Sequence, residues 1–109
     1  MPDELVQVEK KGPITIISLH RREKRNAFDA ALTDALSGAL DEFEDDPDQW
    51  VAVLTGGPDM FSAGSDLKEG SGSSDRGGEY GVIRRRRMKP LIAAAEGIAL
   101  GGGMEILFC

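Results

Sequence analysis

The sequence predicts an α/β fold with mostly parallel strands, and three observations carry that prediction. Short apolar runs rich in β-formers alternate with one long segment of helical periodicity. "WVAVLTGG", from Trp50 to Gly57, is almost wholly apolar, as in strands buried on both faces of a covered sheet. "GIALGGGMEILFC", from Gly97 to Cys109, passes from β-formers through three glycines into a second helical start. Alternation of this kind builds a sheet with helices packed against it.

Element by element, "LVQVEKKGPITIISLH" alternates apolar residues on both sides of Gly12-Pro13. That predicts a strand pair over Leu5–Glu9 and Ile14–Leu19. "HRREKRN" reads as a polar connection. Phe28, Leu32, Ala35, Leu36, Ala39, Leu40 and Phe43 then recur on one helical face. Asp29 stands where an N-cap belongs, and "DEFEDDPD" closes the helix, its acidic cluster a solvated end rather than a metal site. After the strand at Trp50 the Gly- and Ser-rich segment Glu69–Gly78 is expected to be a mobile loop, either a surface excursion or a substrate gate. "EYGVIRRRRM" predicts a short helix whose arginines 84–87 form a solvated face, with a phosphate or a subunit contact as the alternative. "PLIAAAEG" predicts another buried strand, opened by Pro90.

Composition removes several function classes. The chain has 109 residues, enough for one small domain spanning 1–109. Nineteen acidic against 13 basic residues leave a net charge of −6, which argues against nucleic acid as a partner. The single cysteine excludes an internal disulfide, and with His20 as the only histidine a zinc site has no ligand set. His20 itself reads as a strand-end residue rather than a catalyst. No stretch approaches the roughly 18 consecutive apolar residues of a membrane span, and the N-terminus lacks a signal-peptide core. No membrane partner and a cytoplasmic location are therefore expected.

The chemistry concentrates in two glycine-bearing turns. A helix interior disfavours glycine by about 1 kcal/mol against alanine, so three in a row need a reason. A dinucleotide fingerprint fails because Ile106 stands where its last glycine belongs, and a P-loop fails because no lysine follows Gly103. What remains is a backbone amide donor near Gly101–Gly103, with Glu105 on the first turn of the same helix. An amide that polarises a carbonyl oxygen beside a carboxylate that moves a proton is half of an enolate-forming site. The alternative is a glycine turn made for tight packing, with Glu105 paired to an arginine. "FSAGSDLK" repeats the theme: Gly64 precedes a helical turn over Ser65–Lys68, offering a second amide source at a strand end, or simply a loop capped by Ser and Asp.

Three segments in order, Asn26-Ala27-Phe28, Phe61–Lys68 and Lys89–Leu107, resemble the crotonase superfamily, also called the enoyl-CoA hydratase/isomerase family. The resemblance implies a crotonase-like spiral of ββα turns. It further implies that this chain is the N-terminal part of such a domain, truncated at Cys109 within the helix that begins at the glycines. Residues 1–109 alone are then expected to fold poorly and to turn over inefficiently, with Ile106, Leu107 and Phe108 uncovered. The backbone N–H groups of Ser65 and Gly102 fall on the family's two oxyanion positions. Ala63, Ser65 and Lys68 match positions at the adenine and phosphate end of the coenzyme A pocket, and Gly64, Asp66, Leu67, Gly101 and Gly102 complete the matched binding segment. Glu105 matches the first of two catalytic acids, its proton affinity raised by burial and lowered by the helix N-terminus. The second acid lies further along in the family, past Cys109. Enoyl-CoA hydration is the expected reaction of the parent; isomerisation, another crotonase-type reaction, or a non-catalytic binding or assembly module are the alternatives. Substrate is an acyl-CoA thioester, no metal or redox cofactor is implied beyond the coenzyme A that the substrate brings, and family members assemble as trimers or hexamers. The arginine run gains a coenzyme A 3′-phosphate as its candidate anion.

Overall fold

The structure is a computed structural model and describes residues 4–109. In chain order its elements are β1 (Val6–Lys11), β2 (Ile14–Leu19), α1 (Ala30–Asp45), β3 (Val51–Thr55), β4 (Met60–Ser62), β5 (Ser73–Ser74), β6 (Gly78–Glu79), β7 (Leu91–Ala94), β8 (Ile98–Ala99) and α2 (Gly102–Phe108). A single 3₁₀ turn, Arg22–Lys24, follows β2.

The main sheet runs β1-β2-β3-β7. β1 and β2 form the antiparallel hairpin expected around Gly12-Pro13, with Val8 opposite Ile17. β2, β3 and β7 are parallel, with Ile17 beside Leu54 and Leu54 beside Ala93. Strand alternation sorts these side chains onto two faces. Ile17, Leu19, Ala52 and Leu54 point toward α1, whose Leu32, Leu36, Leu40 and Phe43 are buried with them in one core. Each such side chain, fully buried, contributes about 2 kcal/mol over an exposed one, so this layer contact outweighs any single cap.

The caps nonetheless set the ends of α1. Asp29 accepts a hydrogen bond from the Leu32 amide at 2.8 Å, as its position promised. At the other end Lys89 Nζ donates to the carbonyls of Phe43 and Asp46 at 2.7 and 2.6 Å and lies over the Phe43 ring. A cation there satisfies carbonyls that the helix leaves open.

Three expectations need correction. β3 and β7 are parallel as foreseen but are not buried on both faces: β3 alternates, and β7 is an edge strand with Ile92 54% exposed. α2 packs on β4 and β8, so neither helix covers the sheet's second face among the described residues. The segment Glu69–Gly78 is not a bare loop; β5 and β6 pair as a small hairpin laid on α1, where Thr33 Oγ1 donates to the Ser71 carbonyl at 2.6 Å. "EYGVIRRRRM" forms turns rather than a helix. Its arginines explain why: Arg85 is buried and donates to the Gly81 and Ser37 carbonyls, to Ser37 Oγ and to Asp41, tying the turns to α1. Arg84 pairs with Glu79 at 2.9 Å and Arg87 donates to the Val82 carbonyl, so a solvated helix face does not exist here. No helix among the described residues is long and apolar enough to cross a membrane.

Candidate functional site

Ser65 is positioned by a parallel bridge to Phe28. The Phe28 amide donates to the Gly64 carbonyl at 2.6 Å and the Asp66 amide to the Phe28 carbonyl at 2.8 Å. Successive residues of an extended segment turn their N–H groups to opposite edges. With Gly64 and Asp66 facing Phe28, the Ser65 N–H faces away. Upstream, Ser62 Oγ donates to the Asn26 carbonyl at 2.8 Å and accepts from the Gly64 amide at 3.0 Å.

Two buried polar residues hold this turn: Asn26, which the sequence reading used only as part of a matched segment, and Arg21, to which it gave no role. Asn26, 1% exposed, accepts from the Arg21 amide and donates through Nδ2 to the carbonyls of Gly56, Phe61 and Met60 at 2.9, 3.1 and 3.3 Å. Arg21 reaches the Ala27 carbonyl, the Asp66 carboxylate at 3.0 Å and Asp29 at 3.2 Å, linking the helix cap to the turn. Asp66 also accepts from the amides of Glu69 and Lys68 at 3.0 and 2.9 Å. These two amides, and after them the Arg21 guanidinium, hold its carboxyl below the usual aspartate range. Asp66 thus shapes the turn, while Leu67 and Lys68 are exposed at its tip and Ala63 is half-buried.

Gly102 arrives from the other side. β8 runs parallel to β4, and the Leu100 amide donates to the Ser62 carbonyl at 3.0 Å. Gly101 adopts φ +49° with ψ −117°, a conformation L side chains disfavour. A Cβ on Gly102 would lie 2.1 Å from the Tyr80 hydroxyl, and one on Gly103 2.2 Å from the Ser62 carbonyl oxygen. The three glycines therefore answer three separate steric demands, and the tight-packing alternative is part of the truth. α2 begins with Gly103 donating to Leu100 and with Met104 and Glu105 donating to Gly101, which passes over the Gly102 amide.

The two turns touch: a Cβ on Gly64 would stand 2.8 Å from the Gly102 nitrogen. Among the described residues, neither the Ser65 N–H nor the Gly102 N–H donates to any other group. Two amides without an acceptor among the described residues thus stand in adjoining turns. Glu105 lies on the same helix but is exposed rather than buried, and among the described residues no arginine pairs with it. A cleft of about 210 Å³ opens beside Arg22, Arg25, Asn26 and Pro58–Met60, lined by neither amide residue. No metal-binding group of three or more His, Cys, Asp or Glu occurs among the described residues.

Comparison with known proteins gives this arrangement its context. The family model described as enoyl-CoA hydratase/isomerase matches residues 9–109. The chain is 40% identical to an enoyl-CoA hydratase of Mycobacterium tuberculosis, over 97% of its own length and 43% of the relative's. It is likewise 40% identical to a carnitinyl-CoA dehydratase of Salmonella enteritidis, over 94% of its length and 42% of that protein. A crystal structure of an enoyl-CoA hydratase from Mycobacterium tuberculosis superposes with a TM-score of 0.88 at 41% identity, covering 96% of this chain and 43% of that one. The chain spans less than half the length of the curated relatives it matches.

Proposed function

The chain belongs to the enoyl-CoA hydratase/isomerase family, and on that premise we propose that it supplies the oxyanion side of an acyl-CoA site whose main reaction is addition of water to a 2-enoyl-CoA. The observation that supports this reading is that the Ser65 and Gly102 amides, which have no acceptor among the described residues, lie in touching turns. Both belong to one crotonase-like domain, of which residues 1–109 form the N-terminal portion. The thioester oxygen accepts from the two N–H groups. Conjugation carries the polarisation to C3, water adds its oxygen there, and the charge that builds on the thioester oxygen is held until a proton reaches C2. A single oxyanion donor is worth a factor of about 10²–10³ in rate, so the pair supplies a large share of the acceleration. Glu105 serves as the acid or base that moves a proton, and Ala63, Lys68 and the neighbouring turn hold the coenzyme A end. A water-soluble thioester substrate and a lone thiol suit a cytoplasmic enzyme, with no cofactor beyond coenzyme A.

Infrared difference spectroscopy of bound crotonyl-CoA tests the central claim. Hydrogen bonds from two amides should move the thioester carbonyl band to lower frequency; an unshifted band on a bound ligand sinks the oxyanion reading. In the full-length parent, Glu105→Gln should lower hydration on the order of 10²-fold with little change in thioester affinity. Near-normal turnover in that variant would remove Glu105 from the mechanism. The exposure of Glu105 favours a second reading, binding without turnover, in which the band shifts but no hydration follows.

A further inference from the structure

Tyr80 is the only tyrosine of the chain and stands at the meeting point of both turns. Its ring packs edge-on against Phe28, centroids 5.2 Å apart at 67°, and it is 8% exposed. Its hydroxyl lies 2.9 Å from Ser65 Oγ and fills the space where Gly102 would carry a side chain. The backbone at Tyr80 has φ +58°, a left-handed conformation that costs a non-glycine residue of order 1 kcal/mol or more. The fold sustains that strain by tying the following turn down: the Gly81 carbonyl accepts from buried Arg85, which is itself bonded to Ser37 and Asp41 of α1.

A count of protons shows what this placement offers. Each hydroxyl carries one donor. Between Ser65 and Tyr80 there is one hydrogen bond, and among the described residues neither oxygen has a second partner. Whichever hydroxyl donates to the other, the acceptor keeps its own proton, so the pair always presents one open O–H. The Tyr80 hydroxyl lies against Ser65 and Gly102, the two residues whose amides also lack acceptors among the described residues. Three donors around one small space suit an acceptor with negative charge, whereas a neutral packing role needs only the ring.

We propose that Tyr80, as a hydroxyl pair with Ser65, is a further catalytic residue that gives a third hydrogen bond to the substrate oxygen held by the Ser65 and Gly102 amides. This rests on the oxyanion reading above, and it adds a side-chain donor to a site otherwise made of backbone. Gly102 then lacks a side chain to admit Tyr80 rather than to admit the substrate.

The single tyrosine makes the test direct. The chain is labelled with [¹³Cζ]tyrosine and titrated with acetoacetyl-CoA, whose β-keto thioester presents an oxygen of enolate character, and separately with free coenzyme A; calorimetry gives the affinities. The Cζ resonance should move in proportion to acetoacetyl-CoA bound and stay in place with free coenzyme A. Tyr80→Phe, which keeps the ring on Phe28, should weaken acetoacetyl-CoA on the order of tenfold and leave free coenzyme A unchanged. If acetoacetyl-CoA binds with its carbonyl band shifted while the Cζ resonance stays still and Tyr80→Phe binds normally, this inference falls and the oxyanion reading stands. If acetoacetyl-CoA does not bind the wild-type chain, both fall.

Discussion

The Ser65 and Gly102 turns, which touch where Gly64 meets the Gly102 nitrogen, are built on opposite plans. The Ser65 turn is held by polar side chains: Asn26, Arg21, Ser62 and Asp66 place hydrogen bonds into buried space on every side of it. The Gly102 turn is held by the absence of side chains, since Gly102 and Gly103 let Tyr80 and the Ser62 carbonyl approach closer than any Cβ permits. One turn is fixed by directional bonds within the N-terminal layer, and the other by contact with the first. An oxyanion site needs both amides fixed to sub-ångström accuracy. The comparison shows where each turn is vulnerable: the first to loss of a bond or to acid, the second to a single methyl group.

Asn26→Ala should produce the largest effect. It strips the donor from the Gly56 and Phe61 carbonyls and the acceptor from the Arg21 amide, all in buried surroundings. Unsatisfied buried groups cost about 1–3 kcal/mol each, so a loss of about 3 kcal/mol or more is expected, a large fraction of a typical domain's stability. Asn26 also has φ +54°, a conformation asparagine tolerates better than alanine. Urea unfolding followed by the fluorescence of Trp50 measures the loss. A change below 1 kcal/mol would mean that bonds are not what holds the Ser65 turn.

Gly103→Ala should come next, and here two effects oppose. Helix propensity alone favours alanine by about 1 kcal/mol. The new methyl, however, would press on a backbone oxygen that cannot rotate away, and overpacking of this kind costs about 1–3 kcal/mol. The clash wins, so the variant should be less stable and should bind acyl-CoA more weakly, with Met104→Ala on the exposed side of α2 as a near-neutral control. If Gly103→Ala proved more stable than wild type, the Gly102 turn would not be held by close approach.

How far the sequence foretold these turns follows from the range of the interactions. The long helix, its Asp29 cap and the hairpin at Gly12-Pro13 depend on neighbours within a few residues, and periodicity exposed them. Parallel strands were expected from the apolar runs of β3 and β7, although the burial on both faces from which that was read does not occur. The placement of the Ser65 and Gly102 turns came from motif resemblance rather than from pattern. Arg21 hid in a stretch that reads as polar connection, and Asn26 entered only through a matched segment, because their long-range partners are the Asp66 carboxylate for Arg21 and carbonyls about 30–35 residues away for Asn26. The false helix at "EYGVIRRRRM" has the same origin. Good helix formers sit there, but the glycines at 77, 78 and 81 fit only turns, since a Cβ on Gly77 would meet the Gly81 carbonyl at 1.9 Å. Tyr80 acquires its interest only when Ser65, Phe28 and Gly102 surround it.

The smallest expected effect is the response of the Ser65 turn to acid, and it sharpens the comparison because the steric contacts of Gly102 and Gly103 include no carboxyl. The Asp66 carboxyl is held below its ordinary value of 3.8 by the amides of Glu69 and Lys68 and by Arg21. In the unfolded chain it takes up its proton near 3.8, in the folded chain only at lower pH. Between those points the unfolded state binds more protons, so falling pH favours unfolding there, and the stabilisation present above 3.8 is lost as pH drops through the folded value. Asp46 and Glu79 are depressed as well, so the acid limb of wild type alone is shared among three carboxyls. Asp66→Asn separates them: its side-chain oxygen can still accept from the two amides, but it neither titrates nor pairs with Arg21. The stability gap between wild type and Asp66→Asn should be widest above pH 3.8 and should close progressively below it. The amide side chain keeps both turn hydrogen bonds, so the gap should be smaller than the loss in either preceding variant. A gap that stays constant from pH 6 down to pH 3 would show that neither the two amides nor Arg21 favours the charged form of this carboxyl in the folded turn.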